Sequence, residues 1–132
     1  MARTHACTPA IHSGRRSKSR QFWDAAEAVR APAYEAADVA DAYVTLLIHA
    51  SMAAADVICC ARLGEHAQGE SHDEAVTLLA KVDGELSKAL GVVLSLKTKS
   101  GHSHLSASAD DIRRAERAAR KLVDAMNATP KP

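Results

Sequence analysis

Between Glu35 and Leu63 the sequence contains neither proline nor glycine, and Gly64 follows where a left-handed helix stop is expected. The spacing predicts one helix over this whole stretch, on the order of 40 Å long at 1.5 Å per residue. Val39, Tyr43, Leu46, Leu47, Ala50, Ala54 and Val57 fall on one side of it, and apolar residues occupy most of the remaining circumference. A helix that is apolar nearly all round has no natural solvent face, so other elements must wrap it. This one segment therefore dictates a bundle with the long helix as its spine.

The rest of the chain supplies the wrapping. A first helix is expected over Ser19 to Val29, with Phe22, Ala25, Ala26 and Val29 at helical spacing, ended by Ala31-Pro32. Past the Gly64 and Gly69 loop, Ser71-His72-Asp73-Glu74 reads as a capping box opening a third helix that ends near Val82. Asp83 or Gly84 opens a fourth, carrying Leu86, Leu90, Val93, Leu94 and Leu96, and Lys97, Lys99 and Gly101 stop it. Ser108 caps a fifth, with Asp110 and Asp111 in its first turn and Ile112, Ala115, Ala119, Leu122 and Met126 stepping by three and four. The expectation is an all-α, antiparallel up-and-down bundle of about four to five helices. Its 132 residues suffice for one domain. Residues 1–18 are expected as a flexible basic tail, 19–127 as the bundle and 128–132 as a frayed end.

Charge divides unevenly. Arg3, Arg15, Arg16, Lys18 and Arg20 give the first twenty residues +5 with no acid; the chain as a whole is +1, so the remainder is −4. A basic arm on an acidic body suits nucleic acid or an acidic partner. No run of about 18 apolar residues is free of charge, and no signal-peptide pattern opens the chain, so a cytoplasmic protein without a membrane partner is expected. Cys7, Cys59 and Cys60 form neither an even framework nor a metal-ligand spacing, and they read as reduced, small core residues.

Three features carry chemistry. On the long helix Asp38, Thr45, His49 and Asp56 fall within about 40° of one another, a narrow polar line on an apolar cylinder. His49 and Asp56 lie two turns apart, about 10 Å along the axis, so a third polar group between them would bridge both. The line is either a wet side or a site, and the apolarity of the rest of the helix points to a site. The second feature is Lys97-Thr98-Lys99-Ser100-Gly101-His102-Ser103-His104, where lysines that can hold a phosphate meet imidazoles that exchange protons near neutral pH. The third is Arg113, Arg114, Arg117, Arg120 and Lys121 on one side of the last helix, a face that either binds phosphates or is simply solvated. Aromatics are 3% of the chain, so any RNA contact is expected through the phosphate backbone and not through base stacking. No set of side chains here has metal-ligand spacing, and no cofactor motif is present.

Tyr43-Val44-Thr45-Leu46-Leu47-Ile48-His49-Ala50-Ser51-Met52-Ala53-Ala54-Ala55, then Ser71-His72-Asp73-Glu74-Ala75-Val76, resembles the long helix and following Ser-His turn of HEPN domains (higher eukaryotes and prokaryotes nucleotide-binding). Leu94 to His102 is similar to the stretch where HEPN ribonucleases carry an arginine, four to six residues and a histidine, and Ala109 to Ala125 to their closing helix. The resemblance covers roughly Asp38 to Met126. It implies a homodimer that brings two loop sites together in a cleft, and in active relatives metal-independent RNA cleavage. Carried over, His102 would transfer the proton and Lys97 would stand in the arginine's place. Lys99, His104, His49, Asp56, Arg113 and Arg117 would bind phosphate or support the site. Lysine lacks the planar fork that arginine offers a phosphate, a departure that favours binding over cleavage.

Two function classes follow. One is a HEPN-like nucleic-acid-associated protein, a metal-independent or degenerate ribonuclease of toxin-antitoxin type, with RNA and an antitoxin-like protein as partners. The other is a non-catalytic dimeric helical interaction module.

Overall fold

A computed structural model describes residues 3–68 and 72–132. The Gly69 loop position and the Ser71 cap lie outside the described residues. In chain order the elements are strand β1 (Thr4–Ala6), helix α1 (Pro9–Arg30), a 3₁₀ turn (Ala36–Val39), helix α2 (Ala40–Leu63), strand β2 (Glu65–Ala67) and helices α3 (His72–Ala80), α4 (Gly84–Ser95), α5 (Lys97–Gly101) and α6 (Ala109–Asn127). The protein is mostly helical, as expected; the small sheet was not anticipated.

Helix α2 is the spine. It touches α1, α3, α4, α5, α6 and β2. Val44, Leu47, Ile48, Ala50, Ala54, Val57 and Ile58 are no more than 2% exposed. Burying each large aliphatic side chain contributes about 1.5–3 kcal/mol. The stretch from Ala36 to Leu63 is long and apolar enough to cross a membrane, with a mean hydropathy of 1.8 over its most apolar window, but 67% of that window is buried inside the protein. Gly64 ends α2 at φ 74°, its amide donating to the Cys60 carbonyl, a left-handed cap that L side chains rarely adopt. The cap at Ser108 takes the expected form: Ser108 Oγ accepts from the Asp111 amide at 3.1 Å while Asp111 Oδ2 accepts from the Ser108 amide at 2.9 Å.

Helix α1 departs most from expectation. It begins at Pro9 and not near Ser19, so residues 9–18 are helix and not flexible tail. Thr8 caps it, accepting from the Ile11 amide at 3.1 Å, and proline is favourable at the first helical position. Apolar periodicity missed this half because its buried face is polar: His12, Arg16 and Ser19 are all buried. Ser19 Oγ donates to the Ala50 carbonyl at 2.8 Å and locks α1 against α2. Contacts of Arg15 with Asp56, Ser19 with Ala50 and Phe22 with His49 show that the two helices run antiparallel.

The guanidinium of Arg16 reaches the end of α6. It donates to the carbonyls of Met126 (3.2 Å), Thr129 (3.4 Å) and Pro130 (3.2 Å) and to Thr129 Oγ1 (2.9 Å). A cation among carbonyls at a helix C-terminus complements the helix dipole. The end expected to fray is thereby held through Thr129 and Pro130, and Thr129 is 7% exposed.

The cysteines also differ from expectation. Cys59 is free and buried, but Cys7 and Cys60 form a disulfide across a separation of 53 residues, with Cα atoms 5.6 Å apart. Adjacent helical residues point in different directions, which is why Cys59 faces the core while Cys60 meets the N-terminal segment. The bridge closes the β1–β2 ladder, in which Thr4 pairs with Ala67, His5 with His66 and Ala6 with Glu65.

Two outcomes are expected in thermal and urea unfolding. Cys7→Ser loses about 2–4 kcal/mol relative to the oxidised protein, and a reducing agent gives the wild type the same loss while leaving the variant unchanged. Arg16→Met loses about 1–3 kcal/mol because the Thr129 and Pro130 carbonyls lose their guanidinium donor, and Arg16→Lys recovers only part of it.

Candidate functional site

The polar line of α2 faces a cleft. A cavity of about 280 Å³ opens between α1, α2, α3 and α4, and His49 and Asp56 line it with Arg15, Lys18, Phe22 and His72. Met52, Ala53, Leu90 and Leu94 form much of its apolar wall. The antiparallel register of α1 and α2 assembles the polar part. Arg15 Nε lies 3.6 Å from Asp56 Oδ2, and the ring of Phe22 stacks on His49 at a centroid distance of 5.1 Å. Arg15 and Phe22 are seven residues apart, as are His49 and Asp56, so two turns of one helix match two turns of the other. Lys18, midway along this stretch of α1, is exposed at the cleft and has no ion-pair partner among the described residues. It lines the same cleft as His49 and Asp56.

Burial shapes the ionisation of both groups. The His49 imidazole is pushed below its usual proton affinity, first by desolvation and then by the nearby Lys97 ammonium. Both effects favour the neutral imidazole, the form that carries a lone pair. Burial raises the Asp56 carboxyl, and the positive charges of Arg15 and His66 oppose that rise. Arg15 faces Asp56, and Lys18, with Lys97 close by, adds further positive charge to the cleft.

The other expected site residues are placed differently. Lys97 begins α5, which packs on α2, and sits near enough to His49 to affect its charge. Lys99 is engaged: its Nζ lies 2.7 Å from Asp111 Oδ2. That bond and the Ser108 amide hold the Asp111 carboxyl down at about 2. Lys99 thus fastens α5 to the start of α6, a structural role. His102 and His104 are exposed in the turn after α5 and do not line the cleft. The backbone amide of His102 donates to Thr98 at 2.8 Å, while no hydrogen bond or ion pair fixes either imidazole among the described residues. Arg113 pairs with Asp110 at 3.3 Å, and Arg117 is exposed; neither reaches the cleft.

The structure therefore joins His49 and Asp56, with Lys97 nearby, and leaves His102, His104, Arg113 and Arg117 outside. The residues that sequence reasoning missed as site members are His72 on α3 and, on α1, Arg15, Lys18 and Phe22. The α1 spacing of three and seven from Arg15 is helical, and the Thr8-Pro9 cap signals the helix that carries these three. Among the described residues no group of three or more histidine, cysteine or acidic side chains could hold a metal ion. No protein-family model, curated protein or solved structure matches this chain.

The lowered proton affinity of His49 has a measurable sign. Its unfolded form takes up a proton first, so stability is lost as pH falls below about 6.5. His49→Gln is expected to flatten part of this acid slope between pH 7 and 5 in urea denaturation; buried His12, lowered mainly by desolvation, supplies another part.

Proposed function

We propose that this chain is a HEPN-like nucleic-acid-associated protein whose α1–α2 cleft receives a phosphate of an RNA backbone. The observation that carries this is the convergence of Lys18, His49 and His72 on one cavity, with Lys97 beside it. A lysine ammonium attracts phosphate as a point charge, and a neutral imidazole both accepts and donates hydrogen bonds. The apolar wall lowers the local dielectric and strengthens each of these interactions.

The arrangement favours binding. Cleavage would require a ribose 2′-hydroxyl to lose its proton to His49 as its oxygen attacks phosphorus. The departing 5′-oxygen would take a proton from a second imidazole, His72 at the cleft, leaving a cyclic phosphate. The arginine that the resemblance implies is replaced by Lys97, and Arg15, the one guanidinium lining the cleft among the described residues, faces Asp56 at 3.6 Å.

Pairing of two copies through the α5–α6 connection belongs to the same proposal. Leu105, beside His102 and His104, is 57% exposed, an apolar group that a partner surface would cover. The Cys7–Cys60 bridge bears on where the protein works: in a reducing cytoplasm it would be redox-labile, whereas an oxidising compartment would preserve it.

The test is binding and cleavage of single-stranded RNA in EDTA, comparing wild type with Lys18→Ala, His49→Ala, Lys97→Ala and His102→Ala. Affinity is expected to fall steeply with salt, and Lys18→Ala to reduce the slope of log affinity against log salt by about 0.7. Cleavage abolished in His49→Ala would make the protein a metal-independent ribonuclease. Absence of salt-dependent RNA binding by the wild type would leave the dimeric interaction module as the function.

A further inference from the structure

A second concavity lies where α4 meets α6. Its volume is about 240 Å³, and Ala89, Val92 and Ala118 form its floor. Ala89 and Ala118 are buried to 7% and 6% exposure, so the groove bottom is small-residue and apolar. The rim is cationic. Arg114, Arg117 and Lys121 are exposed along it, at spacings of three, four and seven on one helix face. None of the three has an ion-pair partner among the described residues. Lys88 completes the rim from α4, and the one acid there, Glu85, lies 3.5 Å from its Nζ.

We infer that this groove docks an acidic amphipathic helix of a partner protein. Such a helix lays apolar residues into the floor, and small residues there let the two backbones approach to a helix-packing distance of about 8–10 Å. Carboxylates flanking its apolar stripe then meet Arg114, Arg117 and Lys121, whose spacing is itself that of a helix. An RNA backbone would engage the cations but gain nothing from the apolar floor. No aromatic side chain lines the groove for a base to stack on. Charge complementarity thus selects an acidic occupant, and the floor selects one with an apolar face. The surface is distinct from the α1–α2 cleft, so this inference stands or falls independently of the RNA proposal.

The probe is a fluorescein-labelled synthetic helix with leucines at i, i+3, i+4 and i+7 flanked by glutamates, read by anisotropy against the full-length protein. Two control peptides replace the leucines with serines or the glutamates with lysines. The Glu/Leu peptide is expected to bind at least tenfold more tightly than either control. Arg114→Glu/Arg117→Glu, exposed changes checked for folding by circular dichroism, is expected to lose that binding and to gain affinity for the Lys/Leu peptide. Leucine and serine peptides binding equally would overturn the inference, since the floor then contributes nothing. It would equally be overturned if the double variant lost RNA binding or self-association while its affinity for the Glu/Leu peptide stayed unchanged.

Discussion

A helix without a solvent face organises this protein. Helix α2 buries most of its apolar surface, so each neighbour is positioned by the need to cover it: α1 along one side, α6 along another, and α3, α4 and α5 over the remainder. Desolvation of the spine is the common driving force, because hydrophobic burial is non-directional and rewards any wrapping that excludes water. Direction comes from elsewhere. Polar contacts at chosen places convert a general demand for cover into one register.

Those contacts concentrate on α1. Its N-terminal half offers the core little apolar surface, yet Ser19 is fully buried on the Ala50 carbonyl, Arg16 is inserted among the carbonyls ending α6, and the Cys7–Cys60 bridge fixes its leading segment. Buried polar groups are costly when unsatisfied, and although Arg16 Nε has no partner its two terminal nitrogens are bonded, so these bonds admit few alternatives of register. The register they impose places Arg15 on Asp56 and Phe22 on His49. The cleft is a consequence of how α1 is fastened, since the same residues shifted by one turn would not meet.

Much of the site was half visible from the chain. The polar line of His49 and Asp56 is legible because 3.6-residue periodicity singles it out on an apolar helix, and both residues do line the cleft. Its other wall was hidden, since basic residues near an N-terminus look like a solvated arm until Thr8 and Pro9 are taken as a helix start. Lys99 illustrates the reverse. In sequence it belongs to a cluster of cations and imidazoles, whereas in space it closes on Asp111 and serves the α5–α6 connection.

What the sequence determined by itself was the local and periodic part: a long apolar spine stopped at Gly64, caps at Asp83 and Ser108, and amphipathic helices enough to wrap it. These depend on residues within a few positions of one another, whose preferences a chain displays openly. Tertiary structure alone decided the pairing of Cys7 with Cys60, the anchoring of Arg16 at the end of α6, and the meeting of Arg15 and Lys18 with His49 and Asp56. Each joins residues more than thirty positions apart, and such contacts are chosen by the packing of whole helices, which no local preference encodes.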